Sequence, residues 1–387
     1  MIGDDSLDEV QREVVLHKRR ARRALPAAQR IERLLAEGGM EALQSLPLRT
    51  NPLALFEALL LRSWALRHED PVLMRSFAWL AFQQAQQLDA REYGRHVVFD
   101  LRCRALAEYA NAYRAGDKLS EAVWALGRAR ELYELGTNDE DLEIRLVELE
   151  GALAADRRQF EIARHKLEKV FQFHTKRGNS HLAGRAKIIQ GLHAGYGGSP
   201  EEGISLIKEG LSLLKGSDDL GLLHIATHNQ LLLLTDAGHF KEAKRFRVEF
   251  SRELSAAGGK INEIKLRALE GRIDAGQGRL ARAEATFREV RKGYESYGLN
   301  FEAAITDLDL VAALLAQGKA TEAKETAQSA AKIFLSLQIE REALLAVILL
   351  REAFEMEKAT AELVKSIAAF LRRSEHAPDT PFTPPAL

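Results

Sequence analysis

Pairs of small or apolar residues twelve positions apart recur along this chain every forty residues: Gly151 with Ala163, Gly191 with Gly203, Leu231 with Ala243, Gly271 with Ala283 and Val311 with Ala323. An earlier pair, Ala110 with Ala122, lies forty-one residues before the first. Between the members a glycine recurs at 198, 238, 278 and 318; Gly116 stands one residue out of phase, and Arg158 takes the glycine's place once. A fixed period of this length marks one supersecondary unit stacked on copies of itself. Glycine between the members suits a helix C-cap in the left-handed conformation. The following Ser199-Pro200-Glu201-Glu202 combines a capping serine, a proline at the first helical position and a glutamate near the new helix start. Each unit is therefore predicted to be helix, tight turn, helix.

Proline usage agrees. The nine prolines sit at 26, 47, 52, 71, 200, 378, 381, 384 and 385, leaving two stretches of well over a hundred residues without any. Those stretches are rich in Ala, Leu, Glu, Arg and Gln, good helix formers, and lack the alternating β-branched runs and Asn-Gly turns of strands. With 46% hydrophobic and 29% charged residues, bulk disorder is excluded. A net charge of −1 creates no global field toward nucleic acid or an anionic surface. One cysteine, Cys103, allows neither an internal disulfide nor a cysteine-only zinc site. Neither a signal-peptide core nor an apolar run of about 18 residues occurs, so no membrane association and a reducing, cytoplasmic setting are expected.

Small residues at both members of a pair let two antiparallel helices approach closely, and Leu126, Leu167, Ile207 and Phe287, four after the second member, fill the space between units. Tyr109-Ala110-Asn111-Ala112-Tyr113 with Gly116 and Ala122…Leu126…Ala129 resembles the tetratricopeptide repeat, as does Gly271…Gly278…Ala283…Phe287. The resemblance implies an all-α, right-handed α-solenoid of stacked helix hairpins. The expected organisation is an N-terminal helical segment at 1–50, an irregular first hairpin at 51–94, six repeats at 95–336, capping helices at 337–375 and a proline-rich tail at 376–387. Forty residues exceed the usual period of the superfamily, which points to longer helices, as in a variant resembling its bacterial sensor and regulator proteins. Arg247 departs from the pattern where a bulky apolar residue is expected.

Catalytic patterns are sparse. Gly195-Tyr196-Gly197-Gly198-Ser199-Pro200 is followed by no Gly-Lys-Ser/Thr and is taken as an inter-helix turn. Ala256-Ala257-Gly258-Gly259-Lys260 is read likewise. His224 and His228, four apart, lack a third ligand at fixed spacing. Cys103 is expected to be a packed thiol, and Trp64, Trp79 and Trp124 core residues. No enzymatic activity and no cofactor or metal are expected.

Lys18-Arg19-Arg20-Ala21-Arg22-Arg23 resembles a nucleic-acid arm, yet residues 1–38 hold seven acids against eight Lys+Arg. Val10, Val14, Ala21 and Leu25 recur at helical spacing, so an amphipathic helix with a solvated basic face is preferred and direct nucleic-acid binding is not expected. In the bacterial regulators this chain resembles, the effector-binding or DNA-binding part precedes the repeats.

Function is expected on the concave surface, lined in such solenoids by the first helix of each hairpin. Six residues before each first small position stand Arg104, Arg145, Arg185, Ile225, Lys265 and Ile305; just after it stand Asn111, Ala152, Leu192, Leu232, Arg272 and Ala312. Arginine forks pair with carboxylates and asparagine satisfies peptide amides, so Arg104, Asn111, Arg145, Arg185, Lys265 and Arg272 are the candidate contacts to a protein or peptide of acidic character. The competing expectation is that these arginines pair with glutamates on neighbouring helices. A chaperone-type carboxylate clamp is not expected, because Ala107, Leu149 and Ile189 occupy its polar positions. The sequence thus indicates a non-catalytic protein- or peptide-binding scaffold regulating a separately encoded effector. The alternative is a peptide-sensing transcriptional regulator acting with a DNA-binding partner.

Overall fold

The computed structural model describes residues 4–47, 50–68, 70–116, 118–255, 259–336, 341–355 and 358–376. Among these every regular element is helical and none is a strand. The chain divides into two compact units, one up to Lys169 and one from Val170 onward. The first contains α1 (Asp4–Gly38), α2 (Pro52–Ala65), α3 (Pro71–Gln86), the short α4 (Ala90–Tyr93), α5 (Arg95–Ala115), α6 (Leu119–Tyr133), α7 (Glu140–Asp156) and the start of α8 (Phe160–Lys176). The second continues with α9 (Ser180–Tyr196), α10 (Pro200–Leu213), α11 (Leu220–Asp236), α12 (Phe240–Glu249), α13 (Ser251–Ser255), α14 (Lys260–Gly276), α15 (Leu280–Ser296), α16 (Asn300–Ala316), α17 (Ala320–Ser336), α18 (Arg341–Glu355) and α19 (Ala361–His376). Of the proline-rich tail, residues 377–387 lie outside the described residues.

Within each unit, helices pack against their neighbours in sequence, α2 on α3, α5 on α6, α9 on α10, α14 on α15 and α16 on α17. This is the helix-hairpin stack of an all-α solenoid. The turns inside the hairpins share one mechanism. Gly198, Gly238, Gly278 and Gly318 have φ between 77° and 88°, and Arg158 stands at 62°. At each, paired backbone bonds close the preceding helix, as Ser199 N–H to Ala194 O (2.9 Å) and Gly198 N–H to Gly195 O (3.0 Å) illustrate. The next helix then begins without the expected serine cap: the Ser199 side chain makes no capping bond, although Pro200 does occupy the first position. Side-chain caps sit instead at the starts of first helices. Asp139 accepts from Asp141 N–H (2.8 Å), Asn179 from Leu182 N–H (3.1 Å) and Asp219 from Leu222 N–H (2.9 Å).

The paired small positions are buried. A Cβ at Gly191 would fall 2.7 Å from Gly203 O, and one at Gly203 would fall 2.6 Å from Gly191 O, so α9 and α10 meet backbone to backbone. Leu126, Leu167, Ile207 and Phe287 are buried beside these contacts. Where Arg247 replaces the bulky residue, it pairs with Glu270, α12 stops at Glu249 and a separate short helix, α13, follows. The tryptophans depart from expectation: Trp79 is 40% and Trp124 61% exposed. Trp64 is half-buried with Arg67 and Arg145 over its ring.

Helix α1 packs on α2 through residues alternating three and four apart, Ala21, Ala24, Ala28, Ile31 and Leu35, the last four buried. Leu25, expected on this face, is instead 47% exposed. Toward its start α1 reaches α5, where the Glu13 carboxylate accepts the N–H groups of Arg95 (3.1 Å) and His96 (3.0 Å). It thereby satisfies two of the donors that every helix start leaves open. Glu13→Ala should cost about 1 kcal/mol by analogy with lost N-caps. Faster hydrogen exchange at the Arg95 and His96 amides checks it; unchanged exchange there would contradict the assignment.

Candidate functional site

Arg104 and Arg145, in phase on successive first helices, meet at one cavity of about 340 Å³ in the first unit. His17 and Lys18 of α1 border it, together with Asp100 and Glu108 of α5. Arg104 forks onto Glu57 at 2.7 and 2.9 Å. Arg145 holds Glu108 through Nε (2.9 Å) and Nη2 (3.1 Å), and Glu148 through Nη1 (2.6 Å). Burial disfavours the Arg145 charge, but Glu108 and Glu148 outweigh it and fix the guanidinium as a cation. Asn111 belongs to the same network, its amide donating to Glu108 (3.3 Å) and its carbonyl oxygen accepting from Arg114 Nε (3.2 Å). Burial pushes the Asp100 carboxyl up to about 6 despite bonds from Thr137, and pushes the His17 imidazole down. The cavity wall thus holds Arg104 and Arg145 already paired with carboxylates, beside the raised Asp100 carboxyl and the lowered His17 imidazole.

A second cavity, of about 150 Å³, lies in the second unit among α11, α14, α16 and α19. Lys265 and Arg272, two turns apart on the same face of α14, border it with His228, Asp309 and Arg372. Arg272 binds Asp236 at 2.5 Å, and Arg372 pairs with Asp309. Lys265 is exposed and carries no ion pair among the described residues. Burial and the neighbouring His224 push His228 down to about 4, so its ring is neutral, and its buried Nε2 has no hydrogen-bond partner among the described residues. His224 Nδ1 lies 3.1 Å from Glu253 O, and the described residues contain no group of three potential metal ligands.

The structure therefore brings Arg104, Asn111 and Arg145 together, and Lys265 with Arg272, while Arg185 borders neither cavity. Ile225 is exposed and Ile305 buried against the second cavity. One carboxylate partner was legible, since Glu148 stands three after Arg145 on one helix face, whereas Glu108, four after Arg104, pairs with Arg145 of the next first helix. Glu57, Asp309 and Arg372 are placed by tertiary packing and carry no local signal. Cys103 is fully buried and its thiol is pushed up to about 12 by burial, which suits packing and not nucleophilic attack.

No family model matches the sequence, and no curated protein matches it. Among solved structures the chain is similar to aspartyl phosphate phosphatase F from Bacillus subtilis, at 15% identity over 73% of this chain and 70% of that one, with a TM-score of 0.54. The likeness is one of fold: the protein is an all-α solenoid of stacked helix hairpins. No described helix is long and apolar enough to cross a membrane.

Proposed function

We propose that this chain is a non-catalytic protein- or peptide-binding scaffold, a forty-residue-period member of the tetratricopeptide superfamily of bacterial type, which regulates a separately encoded effector. The observation that carries this reading is the convergence of repeat-phased side chains from successive first helices on shared cavities: Arg104 with Arg145, and Lys265 with Ile305. A surface built by phase presents its groups in a row, and a row matches an extended ligand. Most of the cations are already paired, so they act as a rigid polar floor. Lys265 and the neutral His228 ring supply the unspent charge and hydrogen-bonding capacity, which suits an acidic peptide segment. The chain's similarity to a protein named as a phosphatase also raises a catalytic alternative, which activity screening of the purified chain with and without metal tests.

The test is capture of a partner from native lysate followed by calorimetric titration of the purified partner. Lys265→Glu should weaken binding about tenfold or more by removing one cation and adding a repulsive charge. Retention of full affinity in a folded Lys265→Glu protein would remove the second cavity from the binding surface.

A further inference from the structure

The net charge of residues 1–38 conceals how the charge is arranged on α1. From Val10 to Ala36 only two acids occur, Glu13 and Glu32. Both point to the packed side of the helix: Glu13 binds the start of α5, and Glu32 lies 3.9 Å from Arg62 of α2. Arg20 is also spent inward, on Glu92 O and the Tyr93 ring. Arg19, Arg22, Arg23, Arg30 and Arg33 are all exposed and have no ion pair or hydrogen bond among the described residues. At 3.6 residues per turn they fall within about 100° of the circumference, opposite Ala21, Ala24, Ala28, Ile31 and Leu35. At 1.5 Å per residue the row from Arg19 to Arg33 extends about 21 Å. The result is a row of guanidinium groups, unpaired among the described residues, that runs past Pro26 on a helix anchored along its other side.

We propose that this face of α1 binds the phosphodiester backbone of double-stranded nucleic acid without reading its sequence. Charge complementarity selects the occupant. A duplex carries one negative charge per about 1.7 Å of axis, so it offers phosphates along the whole length of the row. Guanidinium forks match phosphate oxygens bidentately, and all five cations are arginine. An anionic bilayer fits less well, because residues 4–38 contain no aromatic side chain to anchor at an interface. An acidic protein would need a comparable line of unpaired carboxylates. The surface is distinct from both cavities, so it stands or falls independently of the groove reading.

Fluorescence anisotropy with a labelled 20-base-pair DNA duplex of random sequence, titrated with the full chain between about 30 and 200 mM salt, tests the proposal. Contacts to about five phosphates give a slope of log affinity against log salt of about −4 to −5. The Arg19→Glu, Arg23→Glu, Arg30→Glu triple variant should lose more than about tenfold in affinity at the lowest salt, with a slope shallower by about 3. Charge reversal at three exposed sites elsewhere, Arg128→Glu, Lys244→Glu and Lys292→Glu, should leave the slope intact; circular dichroism confirms that each protein is folded. Absence of duplex binding by the unmodified chain, equal loss in both triple variants, or binding to vesicles of 30% anionic lipid with none to the duplex would each overturn the proposal.

Discussion

Gly271→Leu should unfold the protein at markedly lower denaturant, with a loss of about 3 kcal/mol. A Cβ at Gly271 would stand 2.6 Å from Phe287 Cε1 and 2.9 Å from Cδ1, and Phe287 is itself 1% exposed. A leucine there must displace this buried ring or push α14 and α15 apart. Overpacking a close contact costs about 1–3 kcal/mol, occasionally more. Removing a mid-helix glycine recovers at most about 1 kcal/mol, so packing decides the sign. Gly278→Val makes the contrast: nothing lies near its Cβ, but φ is +77°. Its cost is conformational, about 1–2 kcal/mol. Urea unfolding of the two variants separates the mechanisms, and a Gly271→Leu protein as stable as its parent would falsify the close contact.

Asp307→Asn should act in the opposite direction and stabilise the protein at neutral pH by about 2 kcal/mol. Asp307 is fully buried on α16, neither carboxylate oxygen has a hydrogen bond among the described residues, and its ion-pair partner, Arg291 Nη1, stands 3.5 Å away. Burial pushes its carboxyl up to about 6 from the usual 3.8. A raised carboxyl means that the folded state binds the proton more tightly than the unfolded state between those values. Stability therefore falls as pH rises from about 4 to about 6, and above 6 the full cost of about 2–3 kcal/mol is present. The amide removes that cost, so the advantage of Asp307→Asn should be full at pH 7 and vanish toward pH 4. Asp100 contributes a slope of the same sign in both proteins, which makes the difference between parent and variant the informative quantity. Equal melting temperatures at pH 7 would show that Asp307 is charged without penalty.

The contrast between these two positions also shows what a sequence discloses. Gly271, its partner Ala283 and the turn at Gly278 follow from chemistry acting over a few residues, and a strict phase multiplies the signal. Even Arg158, with the wrong side chain, adopts the turn conformation that its place in the phase demands. The caps at Asp139, Asn179 and Asp219 obey the same spacing and were open to the same reasoning. Asp307 gave no warning, because a carboxylate loses its solvent only through packing around α16. The exposed Trp124 failed in reverse: its type suggests the core, while the helix face it occupies looks outward. Within the candidate site the positions of Arg104 and Arg145 were legible from phase, whereas their fixation by Glu57 and Glu108 depends on residues 47 and 37 positions away, respectively.

Neighbour-to-neighbour packing of the helices has a kinetic consequence. Most contacts of a hairpin close loops of a few tens of residues, and closure entropy grows only slowly with loop length. Low contact order of this kind places helical proteins at the fast end of the folding scale, microseconds to milliseconds per cooperative step. Nucleation can start at any hairpin and propagate outward, so no single hairpin need govern the rate. Ribosomal synthesis, at roughly 5–20 residues per second, delivers a forty-residue hairpin only every few seconds. Each hairpin can therefore form and dock on its predecessor before the next one leaves the ribosome, and nascent apolar faces stay uncovered only for the time one repeat takes to emerge.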